Sequence, residues 1–385
     1  MKFRVERDVL AEAVAWVARS LPQRPPVPVL AGLLVEAGND LLRLSGFDYE
    51  ISGRVEVAVD VAEPGRALVS GRLLADIARS LPPGRQVDVA TEAAGGAGAS
   101  KVVVTCGSTR FTLLPLPDED YPVLPDMPAA TGTVSGDVFA TAVSQVAVAA
   151  GRDDTLPVLT GVRMEIDEET ITLAATDRYR LAVRTLTWSP EQSGASAVAL
   201  VPARTLTETA KALAAADKVV IALATGGAGE GIMGFDGGGR RTTTRLLDGE
   251  FPRYRSLLPA KSTARATVAT APFVEAVKRV AVVAERTTPV RLSFEEGGLT
   301  LEAGTGDEAQ AVESIEIDLD GEPIAIAFNP GYLLDGLGAL DAPYTLLSFT
   351  APGRPAMITG RATAEDGGEE PADYRYLLMP VRLSG

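Results

Sequence analysis

The chain repeats itself three times at a period close to a third of its length, and this constrains the fold more than any single motif. A shift of 129 positions pairs Val14 with Val143, Val17 with Val146, Pro28 with Pro157, Leu30 with Leu159, Leu44 with Leu173 and Asp48 with Asp177. A third copy follows, in which Phe139, Val143 and Val146 recur as Phe273, Val277 and Val280, and Pro157-Val158 as Pro289-Val290. Three like domains in one chain suggest a curved, quasi-symmetric body. At 385 residues the chain is too long for one core, whereas three domains of roughly 125 residues are each large enough to fold alone. The boundaries expected are 1–127, 128–259 and 260–385.

Each copy reads as two similar halves. In the first, Phe3 and Val5 alternate with polar residues, Asp8 is the expected N-cap, and Val9, Leu10, Ala13, Val14, Val17 and Leu21 recur at helical spacing. The second copy opens with Thr133, Val134 and Asp137 before Val138, Phe139, Ala142, Val143 and Val146; the third places Pro272 in the first turn before Phe273, Val274, Val277 and Val280. Alternating strands follow: Leu33 and Val35, Leu42 and Leu44, Ile171 and Leu173, Leu299 and Leu301. A second helix recurs midway, because a shift of 132 carries Ala67-Leu68-Val69, Arg72, Leu74, Ala78 and Leu81 onto Ala199-Leu200-Val201, Arg204, Leu206, Ala210 and Leu213. Its third copy is Ala327-Phe328-Asn329 with Leu333, Leu334, Leu337 and Leu340. The class is therefore α+β, with two β-α-βββ halves per copy. Segments 92–100, 224–241 and the acidic 365–373 are of low complexity and are expected to be solvated.

Composition excludes much chemistry. There is no histidine and one cysteine, Cys106, which removes the commonest general base and nearly every zinc or haem ligand. Cys106 sits in the strand-like run Val102-Val103-Val104-Thr105 and reads as core rather than as a reactive thiol. The glycines from Gly226 to Gly239 lack the Gly-Lys-Ser/Thr ending of a phosphate loop and read as a hairpin connection. No cofactor or metal is expected, and no convergent carboxylate cluster marks one copy as an enzyme. No run approaches the ~20 apolar residues of a membrane span, and Met1-Lys2-Phe3-Arg4-Val5-Glu6 carries no apolar signal region, so a cytoplasmic protein is expected.

A net charge of −15 argues by itself against a nucleic-acid partner. Its distribution argues otherwise. Arg72 and Arg79 lie seven apart on one helix face, and Arg204, Lys211 and Lys218 repeat the interval in the second copy. The stripe is either an ordinary solvated face or a thin basic lining that would hold DNA loosely. Divergence between copies is a second guide. Asp48 and Asp177 match and so shape a turn, yet only Thr176-Asp177-Arg178-Tyr179-Arg180-Leu181 joins a basic cluster, an aromatic and an apolar anchor. The tail Tyr376-Leu377-Leu378-Met379-Pro380-Val381-Arg382-Leu383 is either a plain edge strand or part of a groove for a partner peptide.

Over essentially its whole length the chain resembles the bacterial DNA polymerase III beta subunits, the sliding clamps, in their actinobacterial form. The resemblance is carried by Lys2-Phe3-Arg4-Val5 with Arg24-Pro25-Pro26-Val27-Pro28-Val29-Leu30, by Asp154-Thr155-Leu156-Pro157-Val158-Leu159-Thr160-Gly161, and by Ala175-Thr176-Asp177-Arg178-Tyr179-Arg180-Leu181-Ala182-Val183. Asp248-Gly249-Glu250-Phe251-Pro252, Phe328-Asn329-Pro330-Gly331-Tyr332-Leu333-Leu334 and Met379-Pro380-Val381-Arg382-Leu383 complete it. It implies three clamp domains per chain and a head-to-tail homodimer, a six-domain ring around double-stranded DNA that reads no sequence and tethers polymerase.

By that resemblance Arg24, Arg72 and Arg204 face DNA, with Arg79, Lys211 and Lys218 added by the stripe. A groove between the second and third domains takes a Gln-Leu-x-Leu-Phe-like peptide from the polymerase alpha subunit, the clamp loader delta subunit, and repair and translesion polymerases; peptide antibiotics are possible occupants. Its implied apolar wall is Leu159, Leu181, Pro252, Leu257, Val381 and Leu383. Thr176, Arg178, Tyr179, Arg180, Asn329, Tyr332, Met379, Pro380 and Arg382 form its rim and floor. Arg178-Tyr179, Ser256 and Thr287 depart from the familiar family pattern and bear on peptide preference. Phe111 and Leu113 against the Val282 region is the implied subunit contact. A clamp paralogue keeps all these motifs; an acidic repeat-built scaffold is the alternative of another class.

Overall fold

The computed structural model describes residues 1–94, 98–224, 231–259, 261–284, 288–304, 309–364 and 373–381. Among them are six α-helices: α1 (Arg7–Val17), α2 (Gly71–Ser80), α3 (Gly136–Ala147), α4 (Ala203–Leu213), α5 (Thr270–Ala281) and α6 (Pro330–Gly338). In the first copy, strand Lys2–Glu6 and α1 are followed by Gly32–Gly38, Leu41–Phe47 and Ile51–Ala58. Gly65–Ser70 and α2 are then followed by Gln86–Ala94, Gly98–Cys106 and Thr109–Leu113. The other two copies repeat the order, so each holds two β-α-βββ halves. The periodic apolar positions are buried as the spacing requires: Val14 and Val17, Val143 and Val146, and Val277 and Val280 are all within 1% of full burial. Cys106 is a free thiol inside the first copy's core.

The half-sheets do not stay separate. Strand Ile51–Ala58 pairs antiparallel with Arg240–Arg245, with Val55 opposite Arg240 and Ile51 opposite Thr244. Arg180–Thr187 pairs with Tyr374–Leu378, with Arg180 opposite Leu378. Each pairing joins half-sheets of different copies into a nine-stranded sheet and satisfies two otherwise bare edges. The chain therefore gathers into two compact units, and the second copy is divided between them: Met1–Asp137, Ser189–Gln192 and Glu208–Leu246 form one, and Val138–Trp188, Ser193–Thr207 and Leu247–Gly385 the other.

Three local expectations are corrected. Asp8 does not cap α1 but lies inside its first turn, where its carboxylate accepts from Arg7 Nη1 (2.8 Å) and Gly84 N (3.2 Å). Those bonds, that from Arg7 foremost, hold its pKa below the ordinary value. Lys218 is not on a helix: α4 ends at Leu213, the Ala216 amide bonds back to Leu213 O, and Ala216 O accepts from Gly136 N, turning the chain into strand Val219–Leu223. Of segments 92–100 and 224–241, residues 92–94, 98–100, 232–237 and 240–241 are strand; Glu92 and Ser100 are exposed as expected, whereas part of the second segment is core. Met233 and Phe235 are fully buried in Ile232–Gly237, where a Cβ on Gly234 would collide with the Met127 sulfur. Glycine there serves close approach, which its composition conceals. The Gly-rich residues 225–230, and all but Asp373 of the acidic segment 365–373, lie outside the described residues.

Candidate functional site

The turn after strand Thr170–Thr176 is built by its own side chains. Asp177 Oδ1 accepts from the amides of Tyr179 (3.0 Å) and Arg180 (3.1 Å), and Thr176 Oγ1 donates to Arg180 O (2.7 Å). This fixes an Asx-type turn and forces Arg178 to a φ of 81°, in the left-handed region. The turn points Tyr179 outward, 54% exposed, and returns Arg180 inward, its side chain 5% exposed.

Arg180 joins three parts of this unit. Its Nε bonds Asp177 Oδ2 (2.9 Å), its Nη1 bonds Asp335 Oδ2 on α6 (2.5 Å), and its guanidinium lies 4.3 Å from the ring centroid of Tyr332. Burial alone pulls its pKa down, but the bond to Asp335 and the other nearby partners outweigh that and hold it above the ordinary value. Tyr332 is itself fixed. Asn329 caps α6 by accepting from the Tyr332 amide (3.1 Å), and Tyr376 donates to Tyr332 O (2.7 Å). Burial raises the Tyr376 phenol pKa, so it remains a donor at neutral pH. Tyr179 stacks on Tyr332 with centroids 6.2 Å apart and planes 26° apart. The Met379 amide bonds to Tyr179 O, and that of Val381 to Ala327 O.

These residues wall a cavity of about 490 Å³. Leu159, Arg178, Tyr179, Arg180, Asn329 and Tyr332 line it, with Ala150, Gly151, Arg152, Asp153, Leu156, Asp177, Gly331 and Asp335. Asp335 and the 150–156 wall were not picked out from the sequence. Asp335 stands one turn beyond Tyr332 on the same helix face, and that spacing was the available signal. Thr176 and Leu181 are buried behind the turn, and Leu181 belongs to an apolar cluster with Leu377, Met357, Phe251 and Tyr254. Leu257, Met379 and Pro252 are exposed, Val381 is 37% exposed, and Pro380 is half-buried. Ser256 lies in the 3₁₀ turn Tyr254–Leu257. Arg382, Leu383 and Thr287 lie outside the described residues.

Of the basic residues, Arg72 and Arg79 are both exposed on α2, Arg72 donating to Pro22 O (3.1 Å) and Arg79 standing 3.6 Å from Asp76. Arg204 and Lys211 are exposed on α4, as are Arg24 and Lys218 in their loops. At the edge strand Thr109–Leu113, Phe111 is half-buried, but Leu113 turns into the core at 3% exposure; the exposed leucine there is Leu114, at 73%. Strand alternation places Leu113 inward, so it has little side chain to offer another subunit. Val282, just past α5, is 82% exposed.

Three tandem copies of a paired β-α-βββ unit, with an aromatic-walled cavity beside the last strand, define a protein of the DNA-clamp class. Family models for the N-terminal, central and C-terminal domains of the DNA polymerase III beta subunit match residues 1–125, 133–253 and 255–381. The chain is 61% identical over 385 residues to the beta sliding clamp of Streptomyces coelicolor, with both chains fully covered. It is 48% identical to the beta sliding clamp homolog GriR of Streptomyces muensis, again over the full length of both. Among solved structures, the Caulobacter crescentus clamp superposes with a TM-score of 0.89 at 28% identity, covering 100% of this chain and 99% of that one. The Pseudomonas aeruginosa clamp bound to griselimycin gives 0.88 at 27%, with full coverage of both. The chain belongs to the DNA polymerase III beta subunit family, the bacterial sliding clamps, and acts in DNA replication as a processivity factor. Neither the paralogue nor the scaffold reading is favoured by these matches. Among the described residues no helix is long and apolar enough to cross a membrane.

Proposed function

We propose that this chain, with domains at 1–127, 128–259 and 260–385, pairs head to tail with a second copy to form a closed ring around duplex DNA, without catalysis of its own. The ring would hold polymerase at the primer end by raising its effective concentration. Arg24, Arg72, Arg79, Arg204 and Lys211 serve as a thin basic lining, and the Phe111 and Val282 regions as the subunit contact. The cavity walled by Tyr179 and Tyr332, with Leu159, Leu181, Pro252, Leu257, Met379, Pro380 and Val381 around it, receives short peptides. Its partners are the polymerase alpha subunit, the clamp loader delta subunit and repair or translesion polymerases; the griselimycin complex of the Pseudomonas aeruginosa clamp supports peptide antibiotics as further occupants.

The observation that carries the reading is the fixed stack of Tyr179 on Tyr332, held from behind by Arg180. Two aromatic faces ordered before any ligand arrives lower the entropic cost of capturing a peptide. The test is retention of clamp-loader-loaded protein on circular and linear DNA at high salt, where ionic binding is screened. Retention on circles with loss from linear ends is the expected result; equal loss from both overturns the closed ring.

A further inference from the structure

We infer that Arg178 is a specificity-determining residue that makes this groove prefer peptides carrying Asp or Glu beside their apolar anchors; this rests on the peptide-binding reading above. Arg178 holds a φ of 81°, a conformation that glycine adopts without steric cost and other residues rarely populate. The same turn in the first copy places Tyr49 at a φ of 76°, so the turn imposes the geometry. Tyr49 recovers packing there, its ring edge-on to Phe47 at 5.4 Å between centroids. Arg178 recovers little: it is exposed, and its guanidinium is 5.9 Å from the Tyr179 ring centroid. Packing within the chain thus does little to offset the strain, and the guanidinium is left available to a ligand.

Hydrogen-bonding capacity says what that is. The cavity lining carries three arginines and three aspartates, but the carboxylates are engaged from within. Asp177 accepts from two amides and from Arg180; Asp153 accepts from the Thr155 amide and hydroxyl; Asp335 takes Arg180. No direct salt bridge with a described residue engages Arg178, whose charge acts on the Asp153 carboxylate of the same lining without pairing with it. In a chain of net charge −15 this leaves Arg178, together with the exposed Arg152, as a donor-rich cation lining a cavity that also presents the aromatic rings of Tyr179 and Tyr332 and the side chains of Leu156 and Leu159. A carboxylate on a peptide seated among those apolar walls complements it. A nucleic-acid phosphate complements the charge but not the leucines.

The test compares two synthetic peptides of Gln-Leu-x-Leu-Phe type, one with Asp and Glu at x and on both flanks, the other with Asn and Gln there. Binding to the full-length protein is measured by calorimetry at low salt. The intact chain should bind the acidic peptide about fivefold more tightly, a preference that high salt removes. Arg178→Gly should abolish the preference while raising the melting midpoint by about 1–3 °C, because the left-handed position is relieved. Arg178→Gln, which retains the strain without the charge, should abolish the preference and leave the midpoint unchanged. Equal affinity of the intact chain for both peptides overturns the inference and leaves the groove standing. Binding of neither overturns the groove reading and the inference with it. Competition by a single-stranded oligonucleotide that depends on Arg178 would assign the cation to nucleic acid and overturn the inference.

Discussion

The turns at 48–51 and 177–180 have one backbone and two fates. In both an aspartate Oδ1 accepts from the amides two and three residues on, Asp48 from Glu50 (2.9 Å) and Ile51 (2.7 Å) as Asp177 does from Tyr179 and Arg180. In both the second residue is left-handed. What differs is the fourth position. Ile51 only continues a strand, whereas Arg180 reaches Asp177, Asp335 and the Tyr332 ring and thereby fixes an aromatic wall. A repeated fold acquires a site at one copy by changing what a shared turn projects, not by changing the turn.

The largest expected effect comes from breaking the support behind the second turn. A Cβ on Gly336 of α6 would stand 2.5 Å from Tyr376 Cδ1, and Tyr376 is fully buried, so the ring cannot give way. Gly336→Ala should cost about 3 kcal/mol, lower the melting temperature and displace Tyr332, so that peptide affinity falls with stability. A thermal melt with an unchanged midpoint would show that α6 is not seated as described.

Next comes the aspartate itself. Asp48→Ala removes an acceptor of two backbone amides at an exposed turn and should cost about 1–2 kcal/mol. Asp177→Ala removes the same acceptor and also one of two carboxylate partners of the buried Arg180, which keeps Asp335, so it should cost about 2–3 kcal/mol. Denaturant unfolding of the two variants measures the difference directly; equal losses would mean that the Arg180 pair contributes nothing beyond the turn.

A smaller change separates the site from the fold. Tyr179 is exposed, so Tyr179→Ala should leave the melting temperature within about 1 °C while weakening peptide binding about tenfold through loss of the aromatic wall. Glu50, its counterpart by the shift of 129, should tolerate alanine with neither effect. Loss of binding from both would sink the distinction between the copies.

How much of this was legible beforehand follows from the range of the interactions. The cores were legible because Val14, Val143 and Val277 recur in register, and short-range periodicity survives in sequence. The turns were legible because Asp48 and Asp177 match. The joining of Ile51–Ala58 to Arg240–Arg245 was not, since a ladder of backbone hydrogen bonds selects few side chains. Asp335 escaped for a related reason: its ion pair spans 155 positions, and nothing local marks the carboxylate that will meet a given arginine. Lys218 misled because a spacing of seven continued past the point where α4 stops.

The smallest effect concerns the cavity wall at Asp153, whose counterpart in the first copy is Arg24. The Thr155 hydroxyl, then its amide, hold the Asp153 pKa below the ordinary value of 3.8. A carboxylate whose folded pKa is depressed adds stability that is present in full above its unfolded value and is lost as pH falls through the folded one. Between pH 6 and 8 peptide affinity and melting temperature should therefore not depend on this group's titration. Below about pH 4 the wild type should lose the increment, and Asp153→Asn, which has no proton to gain there, should not. Parallel melting curves of the two proteins down to pH 3 would show that the 153–155 turn is held by something other than this charge.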